Sequence, residues 1–228
     1  MVNSVVFSQS RRDPLTRRVV ILRHGRTTWN AERRFQGQED PPLDEVGIAQ
    51  AKRAAQILNQ IEFSKIVASD LQRAVITAQL IAAGSNQGVV QDLGLRETHC
   101  GAWQGRTWPE IYETDQERLL AWSTSGDIRP GGDGETRSEV AQRFVSAVES
   151  QLSDVALGGT LLVVTHGGAA RAGISEMLKL HRDNWGALGV LTNCAWSVLT
   201  EQQDAAQRWR LDEYNAGSLP EPGIGDDA

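Results

Sequence analysis

The run Arg18-Val-Val-Ile-Leu22, followed directly by Arg23-His24-Gly25, is the most informative segment of the chain. A short apolar run rich in β-branched residues is typical of a strand that is covered on both faces. A second run of this kind, Thr160-Leu-Leu-Val-Val-Thr165, is followed by His166-Gly167. We therefore predict two central strands of a parallel sheet, each with a histidine at its carboxyl end.

Helical patterns alternate with the strands. A helix is predicted after Asp44, and another begins at Thr136, because Thr136-Arg-Ser-Glu139 matches a capping box. A third strand, Lys65-Ile-Val-Ala68, leads into Asp70, which we expect to cap the next helix through its carboxylate. The apolar stripes of the two helices that follow Asp44 and Asp70 are Ala54, Ile57, Leu58 and Ile61, and Leu71, Ala74, Val75, Ala78 and Ala82.

The end of the chain is predicted to be a hairpin. Residues 195–200 and 208–212 have strand character, and the polar stretch 201–207 between them suits a return of the chain. The sheet should therefore be mixed but mostly parallel. We predict an α/β fold, a three-layer α/β/α sandwich, as one domain over residues 18–216, with a mobile N-terminal segment 1–17 and a mobile tail 217–228.

Composition limits the function. With 228 residues and 40% hydrophobic content, the chain can bury one sizeable core. A net charge of −6 argues against a nucleic-acid partner, which needs a clustered basic face. No apolar run is long enough to span a membrane, and no secretory signal is evident, so we expect a cytoplasmic protein. Cys100 and Cys194 have no zinc or redox spacing, so we expect ordinary thiols.

Residues that carry chemistry collect where the predicted strands end. Ligands of open α/β sheets bind at the carboxyl ends of strands, so His24 and His166 should face one pocket. Arg73 lies in the first turn of its helix, where the helix N-terminus already favours anions. Glu97 adds a carboxylate in the loop after the weak strand Val89-Val90. Together these residues predict one shared pocket that favours an anionic ligand.

Four motifs in this order and spacing resemble the histidine phosphatase superfamily, also called phosphoglycerate mutase-like. The resemblance covers residues 18–215. It implies that His24 accepts the phosphoryl group of a small phosphorylated metabolite and that Glu97 donates the proton. We expect no cofactor or metal, because the sequence has no metal-ligand spacing. The residues that it assigns to the phosphate and substrate pocket are Arg23, Asn30, Gln36, Arg73, Glu97, His166 and Gly167. The motifs are Arg23-His24-Gly25, Ser69-Asp-Leu-Gln-Arg73, Leu95-Arg-Glu-Thr98 and Thr165-His-Gly-Gly168.

The chemistry explains these residue types. Phosphoryl transfer depends on positioning and on stabilising the charge of the equatorial oxygens. We expect two guanidinium groups, from Arg23 and Arg73, and an imidazolium, from His166, to supply the positive charge. His24 must attack as a neutral imidazole whose other ring nitrogen donates to a carbonyl, and Gly25 would allow that close approach. A partly buried Glu97 that holds a proton can give it to the leaving oxygen.

The stretch from Glu97 to His166 bears on the type of reaction. In the mutase branch of the family that the chain resembles, this stretch carries a long insertion with paired arginines that grip the phosphoglycerate carboxylate. Here the stretch is short by comparison and contains no Arg-Arg pair, which favours a phosphatase over a mutase. Segments 95–105, 184–189, 193–196 and 208–212 resemble the actinobacterial glucosyl-3-phosphoglycerate phosphatase branch of the superfamily. A cofactor-dependent phosphoglycerate mutase and a non-catalytic phosphate-binding regulatory protein are the alternatives. A homodimer is common in the family.

Other residues near these motifs are expected to contact the substrate tail or to have a structural role. Arg26 and the loop Gly131–Glu135 depart from the usual pattern, at positions where the resemblance places substrate tails. Trp29 and Trp103 lie close in sequence to the motifs and are candidates for substrate contact. We expect the other tryptophans in the core or at an interface, His99 and His181 away from the phosphate, and Arg33-Arg34 in a solvated loop.

Overall fold

The computed structural model describes residues 15–85, 87–124, 126–203 and 206–217. The strands are β1 (Arg18–Arg23), β2 (Lys65–Ala68), β3 (Val89–Gln91), β4 (Thr160–Thr165), β5 (Trp196–Glu201) and β6 (Trp209–Ala216). The α-helices are α1 (Thr28–Glu32), α2 (Glu45–Leu58), α3 (Gln72–Ala82), α4 (Trp108–Ser123), α5 (Arg137–Leu152) and α6 (Gly167–Met177). No helix among these residues is both long and apolar enough to cross a membrane.

The six strands form one sheet in the order β3-β2-β4-β1-β5-β6. β1 pairs in parallel with β4, with Arg23 opposite Thr165, so that the two following histidines come to the same edge of the sheet. β5 runs antiparallel to both β1 and β6, which makes it the reversed strand of a mostly parallel sheet. The predicted mixed sheet and its terminal hairpin are confirmed.

The two faces of the sheet are covered by different helices. Val19 and Ile21 of β1 belong to the core shared with α5 and α6, whereas Val20 and Leu22 belong to the core shared with α2 and α3. This alternation follows from the pleat of the strand, which points successive side chains to opposite faces. Because both faces are packed, the central strands can be continuously apolar, as the three-layer sandwich requires.

Two of the three predicted helix starts have the expected caps. The Asp44 side chain accepts from the Gly47 N–H at 2.7 Å, and Thr136 and Glu139 form the capping box of α5. The prediction for Asp70 is wrong. Asp70 forms an ion pair with Arg96, and the Gln72 N–H at the start of α3 donates instead to Asp40, 32 residues earlier in the chain.

The described N-terminal end of the chain is held by the side chain of Arg17. Arg17, which was expected in the mobile N-terminal segment, forms an ion pair with Glu201 of β5 and donates to the Leu152 carbonyl. Ordered structure therefore begins before the predicted boundary at residue 18. Residues 1–14 and 218–228, which hold the rest of the two predicted mobile ends, lie outside the described residues.

A third, smaller core lies between Glu97 and α5. Most of it comes from α4 and the turn before it, and it packs against α1 and the loop that follows. Arg137 at the start of α5 stacks its guanidinium 4.0 Å from the centre of the Trp122 ring. This segment is therefore a folded layer and not a free loop. Its buried members are Phe35, Cys100, Trp103, Ile111, Leu119 and Trp122.

The contact between α5 and α6 generates a stability prediction. A Cβ atom on Gly173 of α6 would lie 2.1 Å from the Phe144 ring of α5. We expect Gly173→Ala to lower the free energy of unfolding by about 1–3 kcal/mol through overpacking, although helix propensity favours alanine by about 1 kcal/mol. Urea denaturation measures this as a lower midpoint at an unchanged slope.

Gly88→Ala is the matched control, because a Cβ atom there would meet nothing within 4 Å. Both substitutions reduce the freedom of the unfolded chain to a similar extent. A midpoint for Gly173→Ala equal to or above that of Gly88→Ala would contradict the packing argument.

Candidate active site

Two histidines meet where β1 and β4 end. The His24 backbone N–H donates to the Thr165 carbonyl at 2.9 Å, which extends the parallel pairing by one residue. His166 follows β4 directly and is the N-cap of α6. The two imidazole rings lie 5.1 Å apart between centroids, and both side chains are buried. The predicted shared pocket is therefore present, and the register of two strands builds it.

The His24 ring has the arrangement expected of a nucleophile. Its Nδ1 lies 2.7 Å from the Gly25 carbonyl oxygen, so Nδ1 carries the proton and donates, and Nε2 keeps its lone pair. Burial lowers the pKa of His24 well below its usual range, and the positive charges of Arg73 and Arg23 lower it further. The imidazole is therefore neutral at physiological pH, as attack on phosphorus requires.

His166 differs from the prediction. Its Nδ1 lies 3.2 Å from the Nε of Arg73, and a guanidinium can only donate, so Nδ1 must be unprotonated. Burial and the nearby charge of Arg73 also hold the pKa of His166 well below its usual range. The expected imidazolium is therefore wrong for the free protein. His166 is a neutral imidazole that presents its Nε2–H as a hydrogen-bond donor.

Two buried arginines flank the histidines. Arg23 donates through Nη1 to the Leu191 carbonyl at 2.8 Å, and Arg73 donates to the carbonyls of Gly37 and Glu39 at 2.7 and 2.6 Å. The side chain of Arg73 is fully buried, and its Nη1 lies 3.4 Å from the carboxylate of Asp40. Carbonyl dipoles orient both guanidinium groups at the edge of the sheet.

Two donors of this cluster have no hydrogen-bond partner. Within the described part of the chain, the Nε of Arg23 and the Nε2 of His166 are buried and unpaired. An unpaired buried donor costs about 1–3 kcal/mol, so native proteins keep few of them. A bound oxyanion would satisfy both. The arrangement is therefore suited to an anion such as a phosphoryl group.

Glu97 lies on the N-terminus of α6, next to His166. Its carboxylate accepts from three backbone N–H groups, those of Thr98 and Ala169 at 2.8 Å and that of Gly168 at 3.0 Å. These three donors at the start of α6 fix the position of the carboxyl group. The structure does bring Glu97 to the same strand edge as the two histidines.

Asn30 and Gln36 are both buried, and two residues that the sequence did not assign to the pocket join them. Thr27 donates from its hydroxyl to Gln36 at 2.9 Å, and its hydroxyl accepts from the Asn30 N–H as the cap of α1. Asn193 donates to the His24 carbonyl at 3.0 Å and to the Asn30 side chain at 3.3 Å. The Thr27-to-Asn30 capping pattern was readable in the sequence. Asn193 belongs to the segment 193–196 that resembles the family, but its contact with Asn30, 163 residues away, could not be read from that segment.

Close approach explains the glycines of the two motifs. A Cβ atom on Gly25 would lie 2.5 Å from the Gly47 carbonyl oxygen, in the first turn of α2. A Cβ atom on Gly167 would lie 2.6 Å from a Val190 methyl carbon and 3.2 Å from the Arg23 guanidinium carbon. Gly25 thus lets α2 pack against the loop after β1, and Gly167 leaves room for the arginine.

The positions predicted to contact a substrate tail have other partners. Arg26 pairs with Asp44 at 2.7 Å, and Trp103 is buried and donates to Asp115. The loop 131–135 packs against residues 99–102, and the Glu135 N–H donates to the His99 carbonyl. Trp29 remains half-buried beside Gly105 and is still available as a substrate contact.

The other histidines, tryptophans and arginines considered above have the following surroundings. His181 is exposed and His99 is half-buried, and the other tryptophans are buried or half-buried. Arg33 is exposed at the end of α1, and Arg34 pairs with Glu32. Among the residues that the structure describes, no group of three or more histidine, cysteine, aspartate or glutamate side chains could hold a metal ion.

Comparison with known proteins agrees with this geometry. The model of the histidine phosphatase superfamily (branch 1) matches residues 19–217. A glucosyl-3-phosphoglycerate phosphatase of Mycolicibacterium vanbaalenii is 39% identical over 216 residues, covering 89% of this chain and 96% of the relative. A metal-independent phosphoserine phosphatase of Arabidopsis thaliana is 36% identical over 200 residues, covering 86% of this chain and 80% of the relative.

A solved structure extends the match to three dimensions. Mycobacterial glucosyl-3-phosphoglycerate phosphatase in complex with VO3 has a TM-score of 0.81 and 39% identity, covering 88% of this chain and 100% of that chain. The phosphoglycerate mutase-like fold predicted from the four motifs is thereby confirmed. Matches over nearly the whole domain, joined to the paired histidines at the sheet edge, show that the chain belongs to the histidine phosphatase superfamily.

Proposed function

We propose that this protein is a metal-independent phosphatase that hydrolyses glucosyl-3-phosphoglycerate through a phosphohistidine at His24. The substrate is carried over from the name of its mycobacterial relatives, which cover 88–89% of this chain. The catalytic roles rest on the geometry of this chain. The observation that carries the proposal is the neutral, oriented His24 beside two unpaired buried donors, from Arg23 and His166.

In the first step, Nε2 of His24 forms a bond to phosphorus while the bond from phosphorus to the ester oxygen breaks. The unpaired donors of Arg23 and His166 are suited to the equatorial oxygens, where negative charge develops. Arg73 adds positive charge and, through its bond to Nδ1, sets the His166 tautomer that can donate from Nε2. As the N–P bond forms, the Gly25 carbonyl stabilises the positive charge that develops on the His24 ring.

Glu97 is proposed to act as the general acid in the first step and as the general base in the second. In the first step Glu97, holding a proton, gives it to the departing alkoxide. In the second step the Glu97 carboxylate takes a proton from water, the water oxygen bonds to phosphorus, and the bond to His24 breaks. Phosphate leaves and both residues return to their starting states.

A phosphate-release panel with EDTA present tests the function and its independence of metal together. We expect turnover of glucosyl-3-phosphoglycerate to exceed that of 3-phosphoglycerate, sugar phosphates and an aryl phosphate, at rates unchanged by EDTA. Magnesium or zinc restoring a lost activity would contradict metal independence. Interconversion of phosphoglycerates that needs a bisphosphorylated primer would favour the mutase, and phosphate binding without turnover would favour the regulatory alternative.

His24→Ala should abolish turnover, with a loss of roughly 10³-fold or more, because no other nucleophile lies at this strand end in the described structure. The control is His181→Ala, since His181 is an exposed histidine. Acid-quench labelling followed by peptide mapping identifies the residue that carries phosphate in the wild-type protein. Label recovered on a residue other than His24 would rule out the mechanism.

Glu97→Gln should slow hydrolysis of an alkyl phosphate by roughly 10²- to 10⁴-fold and that of an activated aryl phosphate much less. An aryl oxygen leaves as a stable anion, so it needs little help from an acid. Rates of the first step for both esters, measured in one preparation, give the ratio. That ratio corrects for any disturbance of the pocket by the new amide, which slows both esters. Equal slowing would mean that Glu97 is a structural residue.

A further inference from the structure

Glu97 lies in a loop segment, residues 96–100, that is neither helix nor strand. The direction of its side chain therefore depends on what fixes the backbone around it. Three contacts hold the carboxylate itself, from Thr98, Gly168 and Ala169. These contacts can form only if the loop already brings the carboxylate to the N-terminus of α6.

One arginine of α5 binds the backbone carbonyls of this loop. Arg143 of α5 donates through Nη1 to the carbonyls of Gly94 and Arg96, at 2.9 and 2.6 Å, and through Nη2 to the carbonyl of Glu97 at 2.9 Å. α5 is a suitable support, because it is a capped helix of 16 residues whose inner face is packed in the core. A planar guanidinium with several donors in fixed directions can serve three carbonyls at once, whereas a lysine cannot.

The remaining donors of Arg143 go to Glu135, just before α5. Its Nε and Nη2 each lie 2.8 Å from a carboxylate oxygen of Glu135. Glu135 in turn accepts from the His99 N–H at 2.8 Å and from the Gln38 side chain at 3.3 Å, and Gln38 also donates to the Glu97 carbonyl at 3.1 Å. The pair thus fixes the chain on both sides of Glu97. Neither member contacts the Glu97 carboxylate.

Charge supports the same interpretation. Burial raises the pKa of Glu135, but the hydrogen bonds and the positive charge of Arg143 outweigh it, so the net shift is downward and Glu135 stays ionised. Because the pair is internally neutralised, its main effect on Glu97 is geometric. The charge of Arg143 also contributes to the low pKa of His166, which a charge-removing variant would disturb. A variant that keeps the positive charge but loses the planar guanidinium group separates the effect on geometry from the effect on charge.

We propose that Arg143 and Glu135 are positioning residues for Glu97, which aim its carboxylate by fixing the backbone from Gly94 to His99. The kinetic part of this inference rests on the proposed function. Arg143→Lys is the test variant, since it keeps the charge and cannot bind three carbonyls and a carboxylate. Arg208→Lys is the matched control, because Arg208 pairs with Glu149 in the last turn of the same helix.

The expected result is a copy of the Glu97→Gln signature. Arg143→Lys should slow an alkyl phosphate by roughly 10-fold or more while slowing an aryl phosphate much less. Combined with Glu97→Gln, it should cause little further loss, because residues that act as one unit are not additive. Glu135→Gln should change the same ratio, and Arg208→Lys should not. Equal slowing of both esters, or full additivity with Glu97→Gln, would overturn the proposal.

A readout without turnover keeps the inference separate from the proposed function. Amide exchange of Thr98, Gly168 and Ala169, followed by NMR, reports the three hydrogen bonds to the Glu97 carboxylate. Faster exchange at these amides in Arg143→Lys, with the rest of α6 unchanged and no change in Arg208→Lys, supports the positioning role even if no substrate is found. Unchanged exchange at all three amides would overturn it.

Discussion

The structure depends on the burial of two guanidinium groups at the edge of the sheet. Arg23 and Arg73 are 1% and 0% exposed, and transferring such charges from water is costly unless they are paired or hydrogen-bonded. Backbone carbonyls orient both groups, and Asp40 lies 3.4 Å from Arg73. Two buried positive charges are thus held side by side at one edge of the sheet.

Many features of the molecule support that site. The parallel pairing of β1 with β4 places Arg23 and His24 beside His166, and the close packing of α2 against Gly25 fixes the loop that carries His24. The loop from Gly37 to Asp40 supplies carbonyls to Arg73 and a cap to α3. Burial, together with the same positive charges, lowers the pKa of the two imidazoles, so the proposed nucleophile stays neutral.

The proposed acid, Glu97, is held by a second set of contacts. Glu97 is fixed by the N-terminus of α6, while its backbone is fixed by α5 through Arg143 and Glu135. α5 and α6 pack closely, with Gly173 against the Phe144 ring, so the two anchors of Glu97 form one rigid unit. The small core around Trp103 and Trp122 covers the adjacent loop. The position of the Glu97 carboxyl group therefore depends on the packing of α5 against α6.

The sequence by itself determined the fold class, the central strands, the hairpin and the clustering of His24, Arg73, Glu97 and His166. These features depend on short-range patterns: apolar runs of strand length, capping boxes, and motifs placed at strand ends, where parallel pairing gathers them. Relatives of known structure then confirmed the family that the motifs suggested.

Only the tertiary structure decided the protonation of the site and its supports. Burial and the charge of Arg73, 93 residues away, hold the pKa of His166 well below its usual range, and the Glu97 carboxyl group accepts from N–H groups of α6. Asp70, a good cap by sequence, pairs with Arg96 while Asp40 takes its place. Local patterns fix which residues reach a strand end, but hydrogen-bond direction and burial depend on partners that are distant in the chain, and these set charge.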